Sequence, residues 1–213
     1  MADYKKPDHW TLKARKEGYP ARSVYKLKEI DEKFALFKTS AGSNLRVLDI
    51  GAAPGSWSLY VLRKITSNRH SHGNGQGKSF LAAVDLSPLT IEIGENFFLQ
   101  GDITNEDVRL SILSKGPYNV IISDVAPSTT GNNMVDSARS IELVETVLSY
   151  AESALLVGGN LAVKVFQGSG TDALLKQMKT LFTTTKSFKP QACRGESVET
   201  YFIGLGKRNL GSN

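Results

Sequence analysis

Residues 46–57 read RVLDIGAAPGSW, and the rest of the chain is interpreted outward from this segment. Its first part, Arg46–Ile50, is an apolar run with two β-branched residues, which is typical of a buried parallel strand. Gly51 and Gly55 bracket a tight turn, and Pro54 stands where a helix is expected to begin. Together these features predict a nucleotide-type site, because free N–H groups at a helix N-terminus face an anionic group. An ordinary strand-to-helix turn is the alternative for this segment taken alone.

The composition is that of one soluble globular domain. The chain has 213 residues, of which 40% are hydrophobic and 22% are charged. No apolar run approaches membrane-spanning length, and the N-terminus lacks the apolar segment of a secretory signal. The single cysteine, Cys193, excludes an internal disulfide and agrees with a reducing compartment. We therefore expect a cytoplasmic protein without a membrane partner, and a nuclear or organellar location stays open if the source is eukaryotic.

The positive charge is concentrated at the N-terminal end. The net charge is +5, and residues 1–28 carry eight Lys and Arg side chains against three Asp and Glu, so this segment accounts for the whole excess. Trp10, Tyr19 and Tyr25 are interleaved with these charges. Cations mixed with aromatic rings suit a nucleic acid, because they bind phosphates and exposed bases. A solvated basic arm is the alternative.

Hydrophobic periodicity predicts an α/β fold. Strands are expected at 46–50, 80–85, 97–100, 119–124, 160–166, 183–188 and 200–206, and helices at 22–34, 55–65, 136–157 and 171–182. Their alternation implies a mostly parallel, Rossmann-like sheet with helices on both faces. The segment 189–199 contains no crossover helix, so we expect the last strand to be antiparallel. Asp136 is the predicted N-cap of the long helix, and Gly158-Gly159 the turn after it.

The chain is divided into a basic N-terminal arm with one helical stretch (1–20), a single domain (21–208) and a tail (209–213). Residues 66–79, TSNRHSHGNGQGKS, are glycine-rich and aperiodic, so we expect a mobile surface insertion. His70 and His72 in this segment suggest a metal site, but no Cys or carboxylate accompanies them. We therefore predict that the protein needs no metal.

Charged side chains fall at the carboxyl ends of the predicted strands, where ligands of such sheets bind. Asp85 and Asp124 end the second and fourth strands, and Lys164 lies near the end of the fifth. An antiparallel last strand would start at this same edge, at Glu199. The topology therefore brings Asp124, Lys164 and Glu199 together, although they are far apart in sequence.

Further residues at this edge are candidates for contacts with a nucleoside. Asp85 is placed to accept hydrogen bonds from two ribose hydroxyls, as an acid does in dinucleotide enzymes. The pattern GAAPG, however, differs from G-x-G-x-x-G and argues against a nicotinamide oxidoreductase. Asp102 either binds an adenine amino group or caps the helix near Glu106. Trp57 either packs in the core or forms a wall of the ligand site.

Four motifs in order carry a family resemblance: GAAPGSW (51–57), SDVAPSTTG (123–131), GGNLAVKVFQG (158–168) and KPQACRGESVETY (189–201). With them, the chain from about Arg15 to Gly206 resembles the FtsJ/RrmJ family of S-adenosylmethionine-dependent RNA ribose 2′-O-methyltransferases. The resemblance implies the methyltransferase form of the Rossmann-like fold and a catalytic tetrad of Lys26, Asp124, Lys164 and Glu199. The cofactor contacts that it implies are Gly55, Trp57, Asp85, Asp102 and Asp124, to which the glycine turn adds Gly51 and Pro54.

Two features depart from the family pattern. Ser56 stands where many relatives have a second glycine, and the 66–79 insertion is longer than in compact bacterial members. Serine is small, so we expect cofactor binding to survive.

The tetrad suggests how a poor nucleophile, the ribose 2′-hydroxyl, is activated. Lys164 can act as the base only when neutral. Asp124 and Glu199 favour its charged form, whereas Lys26 and the positive sulfur of the cofactor oppose it. We therefore hypothesise that cofactor loading helps to deprotonate Lys164.

The expected partner is RNA. Arg15, Lys16 and Arg22 in the basic segment and Arg194 near the sheet edge are the predicted RNA contacts, and Lys189 extends this track. The leading substrate is a uridine of large-subunit ribosomal RNA, as in the relatives that look most similar. The alternatives are a tRNA or mRNA-cap 2′-O-methyltransferase and a noncatalytic RNA-binding factor of ribosome assembly.

Overall fold

The computed structural model describes residues 8–38, 44–71 and 78–209. Its strands are β1 (Arg46–Ile50), β2 (Phe80–Asp85), β3 (Phe97–Gln100), β4 (Tyr118–Ser123), β5 (Leu155–Phe166), β6 (Phe182–Phe188) and β7 (Glu199–Lys207). Its helices are α1 (His9–Lys16), α2 (Val24–Phe34), α3 (Ser56–Ser71), α4 (Glu106–Leu113), α5 (Asn133–Ala154) and α6 (Thr171–Leu181). In these residues no helix is long and apolar enough to cross a membrane.

The strands form a seven-stranded sheet in the order β3-β2-β1-β4-β5-β7-β6 within the described ranges. The pairs β1–β2, β1–β4, β2–β3 and β4–β5 are parallel. β7 lies between β5 and β6 and is antiparallel to both. The prediction of a mostly parallel sheet with an antiparallel last strand is confirmed. Because β7 reverses direction, its first residue lies beside the carboxyl end of β5, with Glu199 opposite Phe166.

Helices cover both faces of the sheet. α4, α5 and α6 pack on one face, where Tyr150 and Met178 join Leu48 and Ile50 of β1 in one buried cluster. α2 and α3 pack on the other face with Val47 of β1. Successive side chains of a strand point to opposite faces, so this short apolar strand contributes to both halves of the core.

The start of α5 differs from the prediction. Asn132, not Asp136, is the N-cap, and its side chain accepts hydrogen bonds from the N–H groups of Met134 and Val135. Asp136 lies in the first turn, and its carboxylate accepts hydrogen bonds from the N–H and hydroxyl groups of Thr130. The predicted cap was wrong because the helix begins one turn earlier. The Asp136 carboxylate instead stabilises the loop that leads into α5.

Two other boundaries differ. α3 continues to Ser71, through the first part of the predicted insertion, while residues 72–77, including His72, lie outside the described residues. β5 begins at Leu155, where a turn was expected at Gly158-Gly159, because Tyr118 pairs with Leu155 before the register shifts. The predicted helix 136–157 therefore ends earlier, at Ala154.

The N-terminal segment contains the predicted helical stretch, as α1. Asp8 caps it by accepting a hydrogen bond of 2.8 Å from the Thr11 N–H. Ala14 and Tyr19 are buried in a small cluster with Tyr25 of α2. This segment therefore packs on α2.

Candidate active site

A cavity of about 530 Å³ opens at the carboxyl ends of β1, β2 and β4, and we call it the main cavity. Its size is typical of small-ligand sites. Its lining includes four of the predicted cofactor residues: Gly51, Asp85, Asp102 and Asp124. Helix α5 forms part of the cavity wall, a role that no sequence pattern had indicated. Its lining residues are Arg139, Glu142, Leu143 and Thr146. The strand ends thus meet at a single ligand-sized space.

Gly51 is required for the close approach of two loops at this cavity. Its φ is +78°, and a Cβ atom there would lie 2.7 Å from the backbone nitrogen of Val125. A side chain is therefore excluded both by backbone conformation and by space. The absence of a side chain keeps the backbone itself at the surface of the cavity, as a nucleotide site needs.

Asp85 and Asp102 are oriented by backbone groups. Asp85 accepts hydrogen bonds from the N–H groups of Ala53, at 2.9 Å, and Ser87, at 2.8 Å, so it ties the glycine turn to the loop after β2. Asp102 accepts from the N–H and hydroxyl groups of Thr104, and these bonds lower its pKa. It does not cap α4, because Asn105 does. Of the two predicted roles of Asp102, ligand binding is the one still open.

Three predicted cofactor residues do not line the main cavity. The Pro54 carbonyl accepts hydrogen bonds from the N–H and hydroxyl groups of Thr90, and a Cβ on Gly55 would lie 2.6 Å from Ile91. Gly55 has φ +116°, so α3 begins after it and not at Pro54. Trp57 is buried in the core, where its indole N–H donates to the Ser23 carbonyl at 2.9 Å.

Lys164 and Asp124 form a buried ion pair. The Lys164 Nζ lies 3.1 Å from Asp124 Oδ1 and also donates to the Asp124 backbone carbonyl. Asp124 follows β4 directly and Lys164 is on the neighbouring β5, so strand pairing places them side by side. Burial acts to raise the pKa of Asp124, but the charges of Lys164 and Lys26 outweigh it and lower that pKa.

Lys26 and Glu199 form a second ion pair, 2.8 Å from Nζ to Oε1, in which each side chain is only 12% exposed. Burial acts to lower the pKa of Lys26, but the charges of Asp124 and Glu199 raise it overall. The influence of Asp124 on Lys26 joins the two pairs electrostatically. The four residues of the predicted tetrad therefore lie in one cluster of alternating charge.

A charged face of α2 brings Lys26 to this cluster. Lys26, Glu29 and Lys33 follow one another at helical spacing, away from the apolar stripe of the helix. The Glu29 carboxylate accepts hydrogen bonds from the N–H groups of Gln191, at 2.7 Å, and Ala192, at 2.8 Å. The Lys33 ammonium lies 4.2 Å from the ring centre of Phe188. This face therefore holds the connection between β6 and β7, which leads to Glu199.

Tyr201 lies at the centre of the cluster and was not singled out from the sequence. It faces Lys164 across β5 and β7, and its hydroxyl donates to Asp124 Oδ1 at 2.6 Å. Its ring packs 5.9 Å from that of Trp57. Burial raises the pKa of Tyr201 well above its ordinary value, so the phenol stays a donor. Only its place in the fourth motif, two residues after Glu199, could have indicated it.

A second, smaller cavity of about 230 Å³ adjoins the tetrad, and we call it the arginine pocket. It is lined by Arg22, Ser23, Lys26, Arg194, Ser197 and Glu199. The tetrad thus spans two spaces, since Asp124 lines the main cavity and Lys26 and Glu199 line the arginine pocket.

The predicted RNA contacts separate into two groups. Arg22 and Arg194 line the arginine pocket, whereas Arg15 and Lys16 are exposed on α1 and line neither cavity. Cys193, buried beside Glu199, has a pKa raised to about 12, chiefly by burial, so its thiol is unreactive.

No group of three or more potential metal ligands occurs in residues 8–38, 44–71 and 78–209. His72 of the predicted pair lies outside this part of the chain.

Sequence comparison identifies relatives over nearly the whole chain. The family model of FtsJ-like methyltransferases matches residues 19–207. Ribosomal RNA large subunit methyltransferase E of Treponema denticola is 47% identical over 205 residues, which cover 95% of this chain and 96% of that protein. The protein of the same name from Oleidesulfovibrio alaskensis is 45% identical and covers 95% of this chain and 93% of its own length.

Two solved structures are similar to this chain. A crystal structure titled as a putative ribosomal RNA methyltransferase from Plasmodium falciparum has a TM-score of 0.72 and 28% identity, covering 91% of this chain and all of that one. Human methyltransferase-like protein 13, solved with SAH, shares the fold with a TM-score of 0.56 at 16% identity, covering 89% of this chain and 85% of that one. By its family match, its close relatives and its sheet order, the chain belongs to the FtsJ-like methyltransferases.

Proposed function

We propose that this methyltransferase transfers a methyl group from S-adenosylmethionine to the ribose 2′-hydroxyl of a uridine in large-subunit ribosomal RNA. The observation that carries the proposal is the position of the tetrad, which joins a nucleotide-sized cavity to a basic pocket. The names of the relatives support the choice of ribosomal RNA.

The main cavity fits the proposed cofactor. Asp85 and Asp102, each fixed by backbone donors, keep free carboxylate lone pairs for ribose hydroxyls and the adenine amino group. Gly51 leaves backbone at the cavity surface, and Asp124 lines the cavity with a carboxylate that would attract the positive sulfur of the cofactor. When bound, S-adenosylmethionine supplies an activated methyl group.

The tetrad supplies alignment and a base. Lys164 is only 8% exposed. The carboxylate and the backbone carbonyl of Asp124 hold its ammonium group in a fixed place. We assign to the neutral form of Lys164 the removal of the 2′-hydroxyl proton. The cluster around Lys164 holds two carboxylates, Asp124 and Glu199, and one further ammonium, Lys26, and the bound cofactor would add the positive charge of its sulfur.

The Lys26–Glu199 pair is proposed to orient the ribose. Both side chains line the arginine pocket and are fixed by each other, so they present a donor and an acceptor in a set geometry. Positioning of this kind lowers the entropic cost of bringing two reactants into line. Arg22 and Arg194 in the same pocket, and Arg15 and Lys16 on α1, are the proposed RNA contacts.

The test is a map of ribose methylation in total cellular RNA. Cells that lack the gene are complemented with the wild-type protein, with Lys164→Ala, or with Lys186→Ala, which changes an exposed lysine on β6. We expect one 2′-O-methyl uridine of the large subunit to return with the wild type and Lys186→Ala only. A site that returns with Lys164→Ala would exclude this lysine from catalysis, and a site in tRNA or mRNA would change the substrate.

Ligand binding distinguishes the proposed function from an oxidoreductase and from a noncatalytic RNA-binding factor. Thermal stabilisation by S-adenosylmethionine but not by NAD is expected, because the glycine turn lacks a dinucleotide fingerprint. Stabilisation by NAD would support an oxidoreductase. RNA binding without any methyl transfer would support the assembly-factor alternative.

A further inference from the structure

The arginine pocket has an excess of positive charge that the tetrad does not use. Arg22, Lys26 and Arg194 line it with a single carboxylate, Glu199, and that carboxylate is engaged by Lys26. Two arginines therefore line a common space that has no further acid of its own, and within the described part of the chain only Arg22 has an ion-pair partner, Asp8, which lies outside the pocket lining. Such an arrangement is stabilised when an anion enters.

The two guanidinium groups repel each other electrostatically. Burial lowers the pKa of Arg22, and the charge of Arg194 lowers it further. Arg22 is held in place because it donates to the Ala192 carbonyl and pairs with Asp8, the N-cap of α1. Arg194 is exposed, and it takes part in no ion pair among the described residues. The pocket thus combines one fixed cation with one that is free to close on a ligand.

Hydroxyl groups complete the set of donors. The Ser197 Oγ accepts a hydrogen bond from the Glu199 N–H at 3.2 Å, which leaves its own proton available. Ser23 also lines the pocket, and its hydroxyl makes no capping hydrogen bond at the start of α2. Guanidinium forks with hydroxyl donors are the typical partners of a phosphate group.

We propose that the arginine pocket binds one phosphate group of the RNA backbone next to the ribose that is methylated. The proposal rests on the proposed function, because the pocket shares Lys26 and Glu199 with the tetrad. The volume of about 230 Å³ is smaller than that of sites for drug-sized ligands, which suits a phosphate and not a complete nucleotide. Binding at this point fixes the sugar–phosphate backbone without reading the base.

Arg194→Gln is the direct test, because this side chain is exposed and its loss disturbs no ion pair of the described chain. The full-length protein with S-adenosylhomocysteine is titrated with a labelled single-stranded RNA oligonucleotide at several salt concentrations. We expect affinity to fall about tenfold at low salt. The slope of log affinity against log salt becomes shallower by about 0.7, because one phosphate contact is lost.

Lys176→Gln is the matched control, since it removes an exposed cation from α6, outside both cavities. Equal affinity and equal salt slope for the Arg194 and Lys176 variants would overturn the proposal. The expected result is a change in the first variant alone.

Replacing one phosphate of the RNA at a time by an uncharged linkage identifies the phosphate that binds in the arginine pocket. Oligonucleotides with a single methylphosphonate at each position in turn are compared on wild type and on Arg194→Gln. One position should weaken wild-type binding about tenfold and have no effect on the variant. A variant that is as sensitive as the wild type at every position would contradict the assignment.

The same proteins distinguish this proposal from the proposed function. If wild-type protein transfers no methyl group to any RNA but the linkage effect is present, the proposed function fails and the phosphate site stands. If methyl transfer to ribose occurs and the linkage effect is absent, the phosphate site fails alone.

Discussion

Asp49 is a buried acid directly behind the main cavity. Its Oδ2 accepts a hydrogen bond from the Ser58 hydroxyl at 2.7 Å, whereas its Oδ1 is buried without a hydrogen-bond partner in the described structure. Burial raises the pKa of Asp49 to about 7, and the charges of Asp124 and Asp85 contribute. Folding therefore favours the protonated form. Stability from this group falls as the pH rises from about 4, where the unfolded chain loses the proton, to about 7.

Asp49→Asn should flatten this pH dependence. The amide cannot ionise, so the decrease in the free energy of unfolding between pH 5 and pH 8 should be smaller than in the wild type. Urea unfolding across this range measures it, with the surface variant Asp107→Asn as control. An identical pH slope for wild type and Asp49→Asn would show that Asp49 does not titrate here.

Tyr201→Phe isolates one hydrogen bond of the tetrad. The phenylalanine ring keeps the packing on Trp57, but Asp124 loses the donor at 2.6 Å. A hydrogen bond to a charged group contributes about 1.5–3 kcal/mol, so we expect kcat to fall roughly 10- to 100-fold. The affinity for S-adenosylmethionine should change little. A large loss of cofactor affinity with unchanged kcat would contradict this positioning role.

At the scale of elements, Ser56 connects the segment before α2 to the start of α3. Its hydroxyl oxygen accepts a hydrogen bond from the Ala21 N–H at 2.6 Å, and the side chain is 1% exposed. The family resemblance led us to expect a glycine at this position, and the serine found here has a structural use. The bond fixes the approach to α2, and with it the position of Lys26.

Ser56→Ala should therefore destabilise the fold. It leaves the Ala21 N–H without its partner, and a buried unsatisfied donor costs about 1–3 kcal/mol. The free energy of unfolding measured with urea should fall by that amount, while Ser67→Ala, at an exposed position on α3, should change it little. Equal stability of the two variants would mean that the bond contributes nothing.

The elements show which parts of the site could be predicted. Asp85, Asp102 and Asp124 follow apolar strands, so strand period and parallel topology were enough to place them at one edge. Lys26 lies off the apolar stripe of α2, and its partner is 173 residues away. Local periodicity carries no information on such a contact, and only the family resemblance indicated it.

Packing explains why two of the predicted cofactor residues do not line the main cavity. Gly55 and Trp57 stand in the same short motif as Gly51, but Ile91 covers the glycine and the core encloses the indole. Tyr201 was missed for a similar reason, because its role depends on the neighbouring strand. The N-cap of α5 was predicted at the wrong residue because an acid is favourable both at the N-cap and in the first turn of a helix. The sequence alone does not distinguish these two positions for Asp136.

At the scale of the whole molecule, the basic N-terminal segment lies on the side of the tetrad that α2 forms. The basic segment packs on α2 through Tyr19 and Tyr25, so it belongs to the surface that carries Lys26. Arg15 and Lys16 extend this surface away from the arginine pocket. In the proposed function, the sheet edge therefore has the cofactor cavity on one side and a basic surface on the other.

Charge reversal tests this track. Arg15→Glu with Lys16→Glu should weaken RNA binding and flatten its salt dependence, because phosphate contacts are replaced by repulsion. Lys176→Glu with Lys179→Glu on α6 is the control of equal charge change. If both double variants bind RNA equally, α1 does not belong to the RNA site.

Methyl transfer in the proposed function depends on Lys164, held by Asp124, acting as the base in its neutral form. The direct test is the single-turnover rate of Lys164→Arg with saturating S-adenosylmethionine and RNA, across a range of pH. Arginine keeps the positive charge but does not deprotonate in proteins. We expect cofactor binding within a few-fold of wild type and a rate lowered at least about 1000-fold, without the rise toward alkaline pH that is expected for the wild type. A variant that transfers methyl groups at close to the wild-type rate would contradict this role of Lys164.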